Sequence, residues 1–149
     1  MNLEEAIQQR KPFKSQHQRA IANMLFTNNW LMEQIREQLK PYDITLQQYN
    51  VLRILKGAGA PISTCIIRER MLDKMSDASR MVHRLSKKGL VDRKACCHDK
   101  RLVDISLSKE GEELLTQILS CKAGFDCLLQ NLSEDEARQL NELLDKARC

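Results

Sequence analysis

Two thiols, an imidazole, a carboxylate and two cations occupy the consecutive positions Cys96, Cys97, His98, Asp99, Lys100 and Arg101. Side chains of these types, so crowded, could ligate a metal, host a redox-responsive thiol, or form the charged tip of a hairpin that meets an anion. A metal centre needs several converging ligands, and no second His or Cys cluster at a standard spacing accompanies this one. A thiol switch would draw on Lys94, Lys100 and Arg101, whose charges lower the pKa of a neighbouring thiol, and on an exposed tip that admits oxidant. A disulfide between the adjacent Cys96 and Cys97 would close a strained ring. The third reading depends on what holds the tip.

Two short strands flank it. Leu90 to Ala95 is one, and Leu102 to Leu107 is the other, in which Leu102, Asp104 and Ser106 alternate with Val103, Ile105 and Leu107 at the period of a half-buried strand. Together they predict a hairpin with Cys96 to Arg101 at its exposed tip.

The stretch before it, MSDASRMVHRLSKKG, predicts a helix with two chemically different faces. At about 100° per residue, Met75, Ala78, Met81, Val82 and Leu85 converge on a packing side. Ser76, Ser79, Arg80, His83 and Lys87 converge on a wet one, and Gly89 closes the helix. As an isolated surface this could be an ordinary solvated face. Its position between a short helix and a charged hairpin makes it the reading helix of a helix-turn-helix followed by a wing.

The remaining elements frame that motif. Apolar residues at Ile21, Met24, Leu25, Met32, Ile35 and Leu39 predict a helix from about Lys14 to Lys40, ended by Pro41. A second helix follows Thr45, which pairs with Gln48 as a capping box and stops at Gly57 and Gly59. Ser63 or Thr64 caps a short helix over TCIIRERML. Ser108 opens a helix through Leu129 with Leu114, Leu115, Ile118, Leu119, Leu128 and Leu129 as its apolar positions. After Asn131, Ser133 and Glu136 cap a last helix bearing Leu140, Leu143 and Leu144.

The fold class expected is mainly α with a small β-hairpin wing, a winged helix-turn-helix with N- and C-terminal dimerisation helices. Residues 1–149 read as one domain, with a DNA-binding lobe at about 42–111 and a helical dimerisation region at 1–41 and 112–149. The terminal helices carry more apolar residues than a small central core can cover, which favours burial against a second copy.

Composition narrows the function. The chain has 149 residues, 42% hydrophobic, with 5 glycines and 3 prolines. No apolar run approaches the roughly 20 residues of a membrane span, and the N-terminus has no secretory hydrophobic core, so a cytoplasmic location is expected. The 6 cysteines include no C-x-x-C pair, and Cys65, Cys121 and Cys127 read as buried, unreactive thiols in apolar stretches. Net charge is +4, but between Ile62 and Gly111 there are 12 Lys and Arg against 7 Asp and Glu, while the remainder is nearly balanced. Local basicity of this kind is the footprint of a polyanion. Aromatic residues amount to 4%, which disfavours stacking on single strands and favours duplex. No phosphate-cradling glycine loop, paired-histidine zinc helix or nucleophile elbow is present, so neither catalytic residues nor a cofactor is expected.

The segments SRMVHRLSKKGLVDR and DKRLVDISLSKEG resemble the multiple-antibiotic-resistance regulator (MarR) family of bacterial transcription factors, with similarity from about Ile44 to Leu115. The second segment is similar to the family's wing pattern, in which Asp, any residue and Arg precede a strand ending in Leu-Ser/Thr, two residues and Gly. The resemblance implies a homodimer built by the terminal helices and a pseudo-palindromic double-stranded operator, usually held by a repressor. Carried over by position, it makes Arg101 the wing-tip arginine, Asp99 the carboxylate that fixes it, and Lys100 its neighbour. Ser76, Ser79, Arg80, His83, Arg84 and Lys87 then face the major groove.

Arginine suits a narrow minor groove, being permanently charged and weakly hydrated. Asp99 would hold the guanidinium in one orientation and reduce the entropy lost on binding. Asp77 stands where many relatives have a small hydroxyl residue, and puts a negative charge near phosphates unless it caps the helix. The turn MLDKM lacks the glycine often found there.

The resemblance also implies a small-molecule effector pocket, for which Trp30, Tyr49 and Phe125 are candidate lining residues. His17 and Trp30 equally suit helix packing. Peroxide-sensing relatives usually carry a reactive Cys in the first long helix, and Lys14 to Lys40 has none. Two alternatives stand beside a regulator: a winged-helix module that binds only protein, and a thiol- or metal-responsive sensor using Cys96, Cys97 and His98.

Overall fold

A computed structural model describes residues 2–95, 103–120 and 125–149. It divides into two compact units, residues 1–38 and 39–149.

The first unit holds α1 (Leu3–Ala6) and nearly all of α2 (Gln16–Leu39). α1 is too short for a periodic apolar stripe, so periodicity missed it. A capping box builds it: the Glu5 amide donates to Asn2 Oδ1 at 2.9 Å, and the Asn2 amide donates to Glu5 Oε2 at 3.2 Å. The Arg19 guanidinium forks onto the Glu4 carboxylate at 2.6 and 3.1 Å. The first turn of α2 is tied by Ser15, whose hydroxyl accepts from the Gln18 amide at 3.2 Å. Ile21, Met24, Leu25, Phe26 and Trp30 remain exposed along it.

In the second unit the chain passes from the buried Leu39 into a 3₁₀ turn, Lys40–Tyr42, so Pro41 redirects the helix rather than simply stopping it. α3 (Leu46–Ala58) opens on the expected Thr45–Gln48 box, with reciprocal bonds of 3.2 and 3.0 Å, and closes at Gly59, whose φ of 64° suits glycine. β1 (Ile62–Ser63) leads into α4 (Thr64–Arg70), capped by Ser63. α5 (Ala78–Lys87), β2 (Val91–Ala95), β3 (Val103–Leu107), α6 (Lys109–Ser120) and α7 (Glu134–Ala147) complete the order.

The sheet is antiparallel, in the order β1-β3-β2, with Arg93 and Ile62 both opposite Ile105. The hairpin was expected; β1 was not, because two residues carry no period. Beneath it lies one core, including Val51, Leu52 and Leu55 of α3, Ile67, Met71, Val82, Leu85, Val91, Ile105 and Leu115. Full burial of each such side chain contributes about 1.5–3 kcal/mol, so this cluster holds the unit together. α5 packs against α3, α4 and β2 at once.

Ser108 joins the hairpin to α6. Its hydroxyl donates to the Gly89 carbonyl at 2.6 Å and accepts from the Gly111 amide at 3.0 Å. Gly111 lies so close to Leu90 that a Cβ there would fall 2.0 Å from the Leu90 carbonyl oxygen.

One expectation changes here. The helix expected from Ser108 through Leu129 ends, among the described residues, at Ser120, and Phe125–Leu129 forms a 3₁₀ turn instead. Apolar spacing alone does not report a change in residues per turn. α7 begins at the Ser133–Glu136 box as expected, and Leu140 and Leu143 on it are exposed, in keeping with terminal helices that carry more apolar surface than the central core covers.

Candidate nucleic-acid interface

α5 sorts its side chains as its period requires. Ala78, Val82 and Leu85 are buried, whereas Ser79, Arg80, His83, Arg84 and Lys87 are exposed. Among the described residues neither Arg84 nor Lys87 forms an ion pair. Lys88, one position further on, turns back to Asp43, with its ammonium 2.9 Å from the carboxylate. The helix thus presents a row of cations and hydroxyls from a rigidly packed base.

Its first residues differ from expectation. Asp77 is the N-cap, accepting the Arg80 amide at 3.0 Å, and its carboxylate approaches Arg80 Nε at 3.7 Å. Ser76 therefore precedes the helix, half-buried, with its hydroxyl donated to Asp73 Oδ2 at 2.7 Å. Met75, expected on the packing side, is 94% exposed. It lies ahead of the cap, where the helical period that assigned it no longer applies. Asp73 organises this turn, also accepting the Met75 amide at 2.9 Å, and the Ser76 hydroxyl followed by that amide holds its carboxyl below the ordinary value.

Between α4 and the start of α5 runs a cleft of about 390 Å³, lined by Thr64, Cys65, Arg68, Ser76, Asp77, Ala78 and Ser79. Thr64 and Arg68 were missed by sequence reasoning, though their spacing of four places them on one helical face. Cys65, expected buried, is exposed on the same short helix. Only Ile67 of α4 is fully buried, which leaves most of that helix at the surface.

β2 turns one residue, Val91, into the core and exposes Asp92, Arg93, Lys94 and Ala95. Cys96, Cys97, His98, Asp99, Lys100, Arg101 and Leu102 lie outside the described residues, as does Cys121. Cys127 is half-buried. Tyr49 and Phe125 meet edge to face, their rings 4.9 Å apart at 78°. Trp30 belongs to the other unit. Among the described residues, no group of three or more His, Cys, Asp or Glu side chains could hold a metal, and no helix is long and apolar enough to cross a membrane.

A short helix, a turn, a cationic helix seated on the core and an antiparallel hairpin define a winged helix-turn-helix DNA-binding protein. Residues 44–103 match the model of the MarR family. The chain is 31% identical over 117 residues to the HTH-type transcriptional repressor MdtR of Bacillus subtilis, covering 78% of this chain and 75% of that one. It is 31% identical over 115 residues to the multiple antibiotic resistance protein MarR of Salmonella typhimurium, covering 75% and 78%. A solved mutant of MarR from E. coli, complexed with operator DNA, superposes with a TM-score of 0.71 at 29% identity, covering 83% of this chain and 89% of that one. The chain belongs to the MarR family and is a DNA-binding transcriptional regulator.

Proposed function

We propose that the protein is a homodimeric cytoplasmic repressor without catalytic activity, whose two lobes grip a pseudo-palindromic operator. The observation that carries this reading is the exposed face of α5, where Ser79, Arg80, His83, Arg84 and Lys87 stand opposite the buried Ala78, Val82 and Leu85. Arg84 and Lys87 supply charge to phosphates and base edges, and Ser76 lies at the helix entrance. Asp99, Lys100 and Arg101 follow the family pattern as the tip of the wing, which reaches the adjacent minor groove. The lobe spans about 42–111.

Residues 1–41 and 112–149 join the two copies. Exposed Ile21, Leu25, Phe26 and Trp30 on α2, and Leu140 and Leu143 on α7, supply the apolar surface a dimer buries. Occupancy of an operator by such a dimer blocks access of the transcription machinery, and the relative MdtR is itself a repressor. A small molecule lodged near Tyr49 and Phe125 would relieve it.

Titration against a duplex from the region upstream of its own coding sequence, at rising salt, tests the reading. Neutralising about six phosphates gives a log–log slope near −5. A flat response, with the protein folded, overturns it in favour of a protein-only interaction module.

A further inference from the structure

Among the described residues Met75 is the most exposed of the large apolar side chains, at 94%, and Leu72 on the same turn is 79% exposed. Single exposed apolar residues are common, so exposure alone decides nothing. Place and fixation decide more. The Met75 amide is held by Asp73 at 2.9 Å, the next residue's hydroxyl by the same carboxylate at 2.7 Å, and the Lys74 ammonium by the Glu69 carbonyl of α4. Two residues further on, Asp77 caps α5. The backbone that carries Met75 is thus tied to α4 on one side and leads directly into α5 on the other.

That end of the helix is the one a helix-turn-helix presents to base edges. Exposed Arg68, Lys74 and Arg80 on the neighbouring segments supply cations for phosphates, beside the exposed carboxylates of Glu69, Asp73 and Asp77. Within the major groove, the apolar group that a duplex offers is the 5-methyl of thymine. The remaining exposed residues of the α5 face are hydroxyls, cations and an imidazole, so Met75 supplies the apolar contact that they lack.

We propose that Met75 reads thymine, packing its thioether chain on the 5-methyl group at the mouth of the groove; the assignment rests on α5 being the groove-reading helix. Because the Asp73 clamp orders the backbone before binding, little further entropy is lost on contact. Leu72 adjoins the end of α4 and stands further from the cap.

The experiment uses the full chain and a duplex it enriches from a random pool, with each thymine replaced singly by deoxyuridine, which lacks the methyl. The native protein is expected to lose about fourfold in affinity at one or more thymines, the worth of one buried methyl. Met75→Ala should bind the parent duplex correspondingly weaker and show no further loss with deoxyuridine at that position. Its melting temperature should match the native one. Equal losses in native and Met75→Ala, or indifference of the native protein to every replacement, overturn the assignment. So does transfer of the effect to Leu72→Ala. Enrichment of no duplex at all defeats the DNA-binding reading itself and this one with it.

Discussion

Asp77 holds Arg80 twice: its carboxylate accepts the Arg80 amide at 3.0 Å and stands 3.7 Å from the same residue's Nε. The acid that looked misplaced beside phosphates is the structural start of α5. Its cap bond needs an oxygen, not a charge. Asp77→Asn is therefore expected to keep the melting temperature within a few degrees and raise DNA affinity severalfold at low salt, because a negative charge leaves and Arg80 is released. Asp77→Ala loses the cap and costs about 1 kcal/mol. Weaker binding by Asp77→Asn would mean that Arg80 depends on the carboxylate for its aim.

Gly111 and Ser108 set the junction of hairpin and α6. A methyl at Gly111 would collide with backbone, which gives way less readily than a side chain, so Gly111→Ala should cost about 3 kcal/mol or more. Ser108→Ala strands the Gly89 carbonyl and the Gly111 amide and should cost about 1–3 kcal/mol. Urea midpoints at unchanged slope measure both.

The Asp73 carboxyl lies below its ordinary 3.8, through the Ser76 hydroxyl first and the Met75 amide second. A carboxylate lowered on folding adds stability that is present above its unfolded value and disappears as pH falls through the folded one. The native chain should accordingly melt at higher temperature than Asp73→Asn near neutrality, with the gap closing on acidification below the ordinary value. In Ser76→Ala, carbon-detected titration of Asp73 should move back towards 3.8. A pH-independent gap would exclude ionisation as the source.

Arg84→Ala removes an exposed cation that has no ion-pair partner among the described residues, so DNA binding should weaken about tenfold while stability barely changes. Arg101→Ala, at the wing tip given by the family pattern, should do the same. Binding isotherms beside melting curves check both, and normal affinity in either variant removes that residue from the interface.

Much of this was legible in order along the chain. α5 announced itself because burial of Ala78, Val82 and Leu85 and exposure of Arg80, His83, Arg84 and Lys87 repeat at one helical period. Thr45 with Gln48 and Ser133 with Glu136 marked two helix starts, since a capping box is made by residues three apart. The hairpin followed from alternation in the second strand. β1 did not, because its two residues are strand only through pairing with β3.

The errors share a cause. Met75 and Cys65 are apolar types that composition sends to the core, yet both are exposed, one ahead of the Asp77 cap and the other on a helix with little buried surface. Periodicity and local capping act between near neighbours, so amino-acid order alone specified α2 to α5, α7, the two faces of α5 beyond its cap and the helix-turn-helix, but neither the short α1 nor the end of α6. Which apolar side chains found partners, how Asp73 drew Met75 and Ser76 into one turn, and the meeting of Tyr49 with Phe125 were settled by tertiary packing, because contacts between distant segments depend on three-dimensional shape.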